Sequence, residues 1–458
     1  MPVRTRRSLI PGDQTGTSEM RLGIWASAAA VAARTPESRN RYVDFLRALS
    51  IIAVISGHWL IAAPFLDEGE LSLTNMLARQ PWTQLLTWVF QVMPVFFLVG
   101  GYSNGVSWQA AMRDGRRYAD WLDGRLQRLV GPVLPLVAGW AVLGFIAHRF
   151  GTSVELVKVA SQMALIPIWF LAVYVGAVVL VPVSYGAWRR FGMASFWSLA
   201  GLVVLDDVLF FGADLRVVGW LNYGFIWLAV HQLGYAWRDG QFAGVKQTLL
   251  WALCGFTALV VLVTVGPYPV SMVSVPGQDV SNTLPPKLPM LLMGITQCGL
   301  LLSLETPLRR WLARCAPWTA VVLVNGMIMT IFLWHLTAST LTVGMSLALG
   351  GVGLTIEPGS GLWWALRPLW LGVYCVALVF LALLLSGFER GGRGGRPAAA
   401  WRQVAGATLV CGGLALLALD GVGAEGWLGL RVWVVVLPLV GAALAGIAVG
   451  GWRVASGD

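Results

Sequence analysis

An arginine and a histidine eleven residues apart, Arg47 and His58 in RYVDFLRALSIIAVISGHWLIAA, are the residues of this chain best placed to do chemistry. Ionisable side chains in a segment otherwise fit for a bilayer are costly and usually functional. If the run is helical, eleven steps of 100° come within about 20° of three full turns, so both project from one face. At 1.5 Å per residue they stand roughly 16 Å apart along the axis, too far for contact and suited to the two ends of an elongated ligand. With an ordinary pKa of about 6.5, a histidine can take a proton from a hydroxyl near neutral pH. The plainer alternative is a snorkelling arginine and a histidine satisfied by a backbone carbonyl.

Downstream, SWQAAMRDGRRYADWLDGRLQRLVGP holds five arginines, of which Arg125 and Arg128 lie three apart. On a helix that spacing presents both guanidinium groups on one face, a clamp for a phosphate. Contact with anionic lipid is the competing explanation. Asp206 and Asp207 in VVLDDVLF and His335 in MTIFLWHL also fall inside apolar runs. Counted from one side of the bilayer they reach depths similar to His58, so a shared polar pocket is expected, open to the outside. The alternative is that each is satisfied separately. His148 and His231 fall near the ends of their runs and read as structural. The five cysteines are scattered without metal-ligand spacing, so no metal is expected.

The elements that must position these groups are legible from composition. Of 458 residues 57% are hydrophobic and 12% charged, against about 25% charged in soluble domains. The net charge of +10 is spread in short clusters between apolar runs, unlike the single basic face of a nucleic-acid binder, so nucleic acid is excluded as a partner. Twelve runs, near 43–63, 81–103, 129–150, 161–183, 194–213, 217–236, 248–266, 287–304, 317–345, 362–386, 403–420 and 428–452, approach the length of about 20 residues that spans a bilayer. With the N-terminus inside, 24 basic residues fall on the inner side and 7 on the outer, Arg47 being intramembrane; positive-inside bias then puts both termini in the cytoplasm. The stretch ERGGRGGRPAAAWR reads as a flexible Gly- and Arg-rich linker.

These residues together resemble the integral membrane acyltransferase 3 family, with actinobacterial features. Arg47 and His58 in DFLRALSIIAVISGHW match its Arg, ten residues, His element. FFLVGGYSNG from Phe96 is similar to its FF-x-L-S-G-F element, Arg125 and Arg128 to its Arg-x-x-Arg, IPIWFLAVYV around Trp169 to its W-Y-L segment, and MTIFLWHL to its late Y-L-x-H. Gly101 stands where a Ser-Gly pair is commoner. SNTLPPK, from Ser281 to Lys287, is similar to an element of actinobacterial members.

The whole reads as an all-α polytopic membrane protein: the resemblance implies a ten-helix acyltransferase core over 42–388, and composition adds a disordered basic cytoplasmic tail over 1–41, a linker over 389–402 and two further transmembrane helices within 403–458. It implies an O-acyltransferase in the bacterial plasma membrane. The donor would be cytosolic acyl-CoA, acetyl-CoA favoured, and the acceptor a hydroxyl of a carbohydrate, cell-envelope glycan, glycolipid or natural product. His58 and Arg47 would then be the catalytic residues, His58 as the base, Arg125 and Arg128 would hold the donor, and Asp206, Asp207 and His335 would line the acceptor pocket. One-step transfer and a transient acyl-histidine both remain open, as does the oligomeric state. The leading alternative is a twelve-span secondary transporter, supported by the run count and by DGRR at Asp114 to Arg117.

Overall fold

The computed structural model describes residues 19–36, 39–242, 244–389 and 396–448. After α1 (Glu19–Ala33), the helix α2 (Arg41–Ile61) starts where the Asn40 side chain accepts from the backbone N–H groups of Tyr42 and Val43, the usual way to satisfy a helix's first donors. It runs directly into an antiparallel hairpin, β1 (Ala62–Asp67) and β2 (Glu70–Asn75). Glu68 and Gly69 close it at φ of 50° and 91°, a two-residue turn whose positive φ angles suit the twist of the strands. The all-α reading does not anticipate this hairpin.

One-turn helices α3 (Met76–Arg79) and α4 (Thr87–Phe90) lead to α5 (Met93–Arg113), α6 (Tyr118–Val130), α7 (Val133–Arg149), α8 (Val154–Leu165) and α9 (Ile168–Val179). There follow α10 (Val181–Phe191), α11 (Met193–Gly212), α12 (Asn222–Arg238), α13 (Val245–Val265), α14 (Leu288–Ser303), α15 (Glu305–Leu312), α16 (Cys315–Gly326), α17 (Ile328–Ala348) and α18 (Gly361–Leu385). A final pair, α19 (Ala400–Asp420) and α20 (Val432–Ala445), completes the described chain. By length and composition eight segments can cross a membrane, or ten if the bent pairs α8–α9 (46°) and α14–α15 (55°) each count once. The chain is an integral membrane protein. The run 317–345 is not one helix, since α16 and α17 are separated at Met327. At 17 and 14 residues α12 and α20 are shorter than a full span.

In lipid, helices associate through close packing rather than through burial from water. The crossing of α5 and α12 depends on this: a Cβ on Gly101 would lie 1.8 Å from the His231 carbonyl oxygen, and one on Gly234 would lie 2.2 Å from the Leu98 carbonyl oxygen. At Gly100, where the family that the sequence resembles commonly has serine, a Cβ would meet the Tyr174 ring at 2.6 Å, so a larger residue there would require that ring to move. Trp227 of α12, fully buried, stacks on Phe97 of α5 with ring centroids 4.8 Å apart. Around this centre, α2 packs against α5, α16 and α17.

The expected disorder of residues 1–41 is corrected over α1. Its alanine-rich run has high helix propensity, and it lies against α16, where the Trp318 indole donates to the Ala32 carbonyl (3.3 Å) and the Thr35 hydroxyl (3.2 Å). Residues 1–18 of that tail, 390–395 of the expected linker and 449–458 of the C-terminal segment lie outside the described residues.

Candidate active site

Because α2 is continuous from Arg47 to His58, the two occupy opposite ends of one rigid rod. At its far end His58 meets His335 of α17. The rings lie nearly parallel, 8° apart in plane, and His58 Nδ1 is 2.9 Å from His335 Nε2. His335 Nδ1 lies 2.7 Å from the Phe332 carbonyl oxygen, which can only accept. With both rings neutral the network therefore assigns every proton: His335 donates from Nδ1, its Nε2 accepts from His58 Nδ1, and His58 Nε2 is left with a free lone pair. No protein group among the described residues bonds that nitrogen.

His58 faces a cavity of about 380 Å³. The hairpin residues Leu73, Thr74 and Asn75 form one wall, Met163 and Ile166 at the α8–α9 bend another, and Leu336 follows His335 along α17. The hairpin is held over this space by the Leu66 amide, which donates to the Leu354 carbonyl (2.7 Å), and α3 directly after it by the Arg79–Glu357 ion pair. The arrangement puts a histidine with one unengaged ring nitrogen on the lining of a mostly apolar chamber of a size that a small ligand fills.

Two residues unassigned by the sequence reading fix the histidine pair. The Trp59 indole donates to the His335 carbonyl at 3.1 Å, joining α2 to α17. Arg367 of α18 donates from Nη2 to the carbonyls of Trp59 and, at 2.7 Å, of Ala62, so a cation caps the unsatisfied C-terminal carbonyls of α2. Arg367 is 4% exposed, its guanidinium stacked on Trp363 at 4.5 Å with Tyr374 as a further partner. Arg367 is one of the seven basic residues that the charge count puts on the outer side, and the structure shows it buried against carbonyls rather than facing water. The signal was present, since position 367 falls inside the run 362–386 that the sequence itself marks as apolar.

At the other end of α2, Arg47 is fixed by Asp44 (Nη1 to Oδ1, 3.3 Å) and the Ser103 hydroxyl (3.3 Å). Asp44 also accepts from Arg39 at 2.6 Å, which with Asp44's charge holds the Arg39 guanidinium above its ordinary range. Arg125 of α6, half-buried with its guanidinium 5.7 Å from the Trp121 ring, has Arg47, Arg116 and Arg128 as charged neighbours. Arg128 is exposed. Arg47 and Arg116 have carboxylate partners in Asp44 and Asp114, whereas no ion pair forms at Arg125 or Arg128 among the described residues, so these two guanidinium groups are left without a neutralising carboxylate.

Asp206 and Asp207 do not line the cavity beside His58, and the expected grouping with His335 is not formed. Asp207 accepts from Asn222 Nδ2 (3.0 Å), the Tyr268 hydroxyl (2.8 Å) and the Leu288 amide (2.8 Å), tying α11 to the loop and N-terminus of α14. Lys287 is fully buried there, its ammonium 3.8 Å from the centre of the Phe210 ring. Burial lowers its pKa, opposed by Asp207 and Asp206. His231, expected near water at a helix end, is instead fully buried in α12 and accepts from Asn104 Nδ2 at 3.2 Å. His148 ends α7 against Gly429.

Comparison with known families adds the deciding observation. Residues 40–387 match the family model described as an acyltransferase domain, that of the acyltransferase 3 family. The chain belongs to this family. The protein is therefore a membrane acyltransferase, and α2, the α6 arginines and α17 all lie within the matched residues, whereas α19 and α20 lie beyond them. No curated protein and no solved structure matches the chain. Among the described residues of the acyltransferase, no group of three or more His, Cys, Asp or Glu could hold a metal.

Proposed function

We propose that this acyltransferase moves an acetyl or other acyl group from cytosolic acyl-CoA to a hydroxyl of a carbohydrate, cell-envelope glycan, glycolipid or natural product. The observation that carries the reading is the free Nε2 of His58, facing a cavity at one end of α2 while unpaired arginines gather at the other. The orientation supported by the charge bias places the arginine end and both termini in the cytoplasm of a bacterial plasma membrane. A donor phosphate held by Arg125 and Arg128 would leave a thin pantetheine arm to run past Arg47, along α2, to the histidine.

In the reaction, His58 Nε2 takes the proton of the acceptor hydroxyl as the oxygen attacks the thioester carbonyl. The tetrahedral oxyanion collapses by breaking the carbon–sulfur bond, and the coenzyme A thiolate leaves and recovers the proton from the imidazolium. His335, accepting from His58 Nδ1, holds the ring in the tautomer that exposes Nε2 and strengthens as a partner when the ring becomes cationic. Arg47, a charged neighbour of Arg125, marks the donor end of that path.

The test is transfer of labelled acetyl from acetyl-CoA to envelope glycans and lipids in membranes carrying the protein, with products identified by mass spectrometry against a deletion strain. Donor-dependent labelling of a hydroxyl, absent from membranes with His58→Gln at matched expression, is expected. Labelling that survives His58→Gln would remove His58 as the base.

A further inference from the structure

The helix that carries the donor arginines is held by the part of the chain outside the family's domain. Gln127 lies between Arg125 and Arg128 on α6, 7% exposed. Its Nε2 donates to the Gly446 carbonyl (2.9 Å) and its Oε1 accepts from the Ala448 amide (3.0 Å), both at the C-terminal end of α20. At the start of the same helix, the Ala119 carbonyl accepts at 3.0 Å from Gln403 of α19, which is fully buried and also donates to the Ala398 carbonyl (3.0 Å). The two glutamines thus join α6 near both ends to the C-terminal segment, Gln127 by reaching its backbone and Gln403 by reaching from α19 to the backbone of α6.

That segment is itself anchored along the length of the protein. α19 and α20 pack with glycine at each other's backbone, a Cβ on Gly406 falling 2.4 Å from the Gly441 carbonyl oxygen. Near the middle the Cys411 thiol donates to the Ala172 carbonyl of α9, and at the far end the Val422 amide donates to the Ser161 hydroxyl of α8. The pair is therefore a strut fixed to the α8–α9 spans at one end and to α6 at the other.

We infer that Gln127 and Gln403 are positioning residues for the donor, and that α19 and α20 serve to hold Arg125 and Arg128 in the geometry that binds the coenzyme A phosphates. The inference rests on the reading of those arginines given above. Uncapped by these bonds, α6 would rotate or tilt on α9, and a two-pronged contact with phosphate is lost by displacements of an ångström.

Binding of CoA to the full-length protein in nanodiscs, measured by calorimetry over a range of salt concentration, tests it. In Gln127→Leu and Gln403→Leu, CoA should bind about fivefold more weakly, the loss expected for one hydrogen bond's contribution, and with a flatter salt dependence. Pantetheine, which lacks the phosphates, should bind as it does to the parent protein. Adding Arg125→Ala to Gln403→Leu should cost less than Arg125→Ala alone, because the two act through one contact. Unchanged CoA affinity in the glutamine variants, with weakened binding in Arg125→Ala, overturns the inference and leaves the donor reading standing. Unchanged affinity in both Arg125→Ala and Arg128→Ala overturns the donor reading itself. Weakening that extends to pantetheine, or that adds fully to Arg125→Ala, reports general loss of folded protein and also overturns the inference. If Gln127→Leu fails to insert, Gln403→Leu and Gln403→Asn, whose site is on α19, decide it alone.

Discussion

The Trp59 indole donates its proton to the backbone carbonyl of His335, so the residue beside one histidine grips the main chain of the other. Through Arg367 the backbone of Trp59 is gripped in turn by α18. The distance between the two imidazoles is therefore set by three helices rather than by the rings themselves.

The histidines have separable roles. His58→Ala should lower transfer at least about 100-fold, the contribution of a positioned base, with unchanged insertion and donor binding. His335→Ala should lower it less, because Nε2 of His58 survives but its tautomer and orientation are no longer fixed. His335→Gln, whose amide oxygen can still accept from Nδ1, should recover part of the loss. Rates at saturating acetyl-CoA for the three variants check this, and equal activity in His335→Ala and His335→Gln would show that the hydrogen bond to His58 does not matter.

Replacing Arg367 should affect turnover more than donor affinity. Arg367→Met keeps the stem over Trp363 but uncaps the carbonyls of Trp59 and Ala62, a cost of about 1–3 kcal/mol for acceptors left unsatisfied in a buried site. Since the damage falls at the His58 end of α2, kcat should drop while CoA binding stays as it was. Arg367→Lys should recover little, as an ammonium does not reproduce a fork reaching two carbonyls. The ratio of kcat to CoA affinity in purified variants is the measurement.

Asp207→Asn should behave as a stability variant. Three donors converge on this carboxylate, and an amide can accept from only part of that set without presenting its own NH2 to another donor. A loss of about 1–3 kcal/mol is expected, read as a lower melting midpoint, with normal transfer per folded molecule. Loss of transfer at unchanged melting temperature would return the aspartates to the acceptor site.

Topology can be checked directly. A reporter joined after Arg128 or after Arg396 should report cytoplasm, and one near Asp279 the exterior, as the bias of 24 basic residues to 7 requires. An exterior signal at Arg396 would overturn the orientation.

Much of the site was readable because it lies within single helices. The eleven-residue spacing of Arg47 and His58, and the three-residue spacing of Arg125 and Arg128, follow from helix geometry alone, and α2 and α6 carry both pairs as expected. What could not be read is which helices touch. His58, Asp206, Asp207 and His335 have similar depths, yet depth along the bilayer normal fixes one coordinate of three. α17 packs on α2, whereas α11 packs on α12 and the loop before α14, so only His335 arrives at His58. Arg367 escaped notice because a basic residue near the end of an apolar run satisfies the charge count equally well whether it faces water or neighbouring carbonyls. The hairpin was hidden by its composition: AAPFLDEGELSLTN continues the apolar run before the turn at Glu68 and Gly69.

The Phe332 carbonyl that fixes the His335 tautomer also makes the pair a blind alley for protons. A carbonyl oxygen cannot relay a proton onward, so in the proposed reaction the one taken by His58 has no exit through His335 and leaves from Nε2, on the side where the coenzyme A thiolate would recover it. With acceptor outside and donor inside, as proposed, each turnover carries an uncharged acyl group outward and a positive charge inward. Acylation would then draw on the membrane potential, by up to about 2.3 kcal/mol for each 100 mV, inside negative. The same chemistry would run further toward product in an energised cell than in a leaky vesicle.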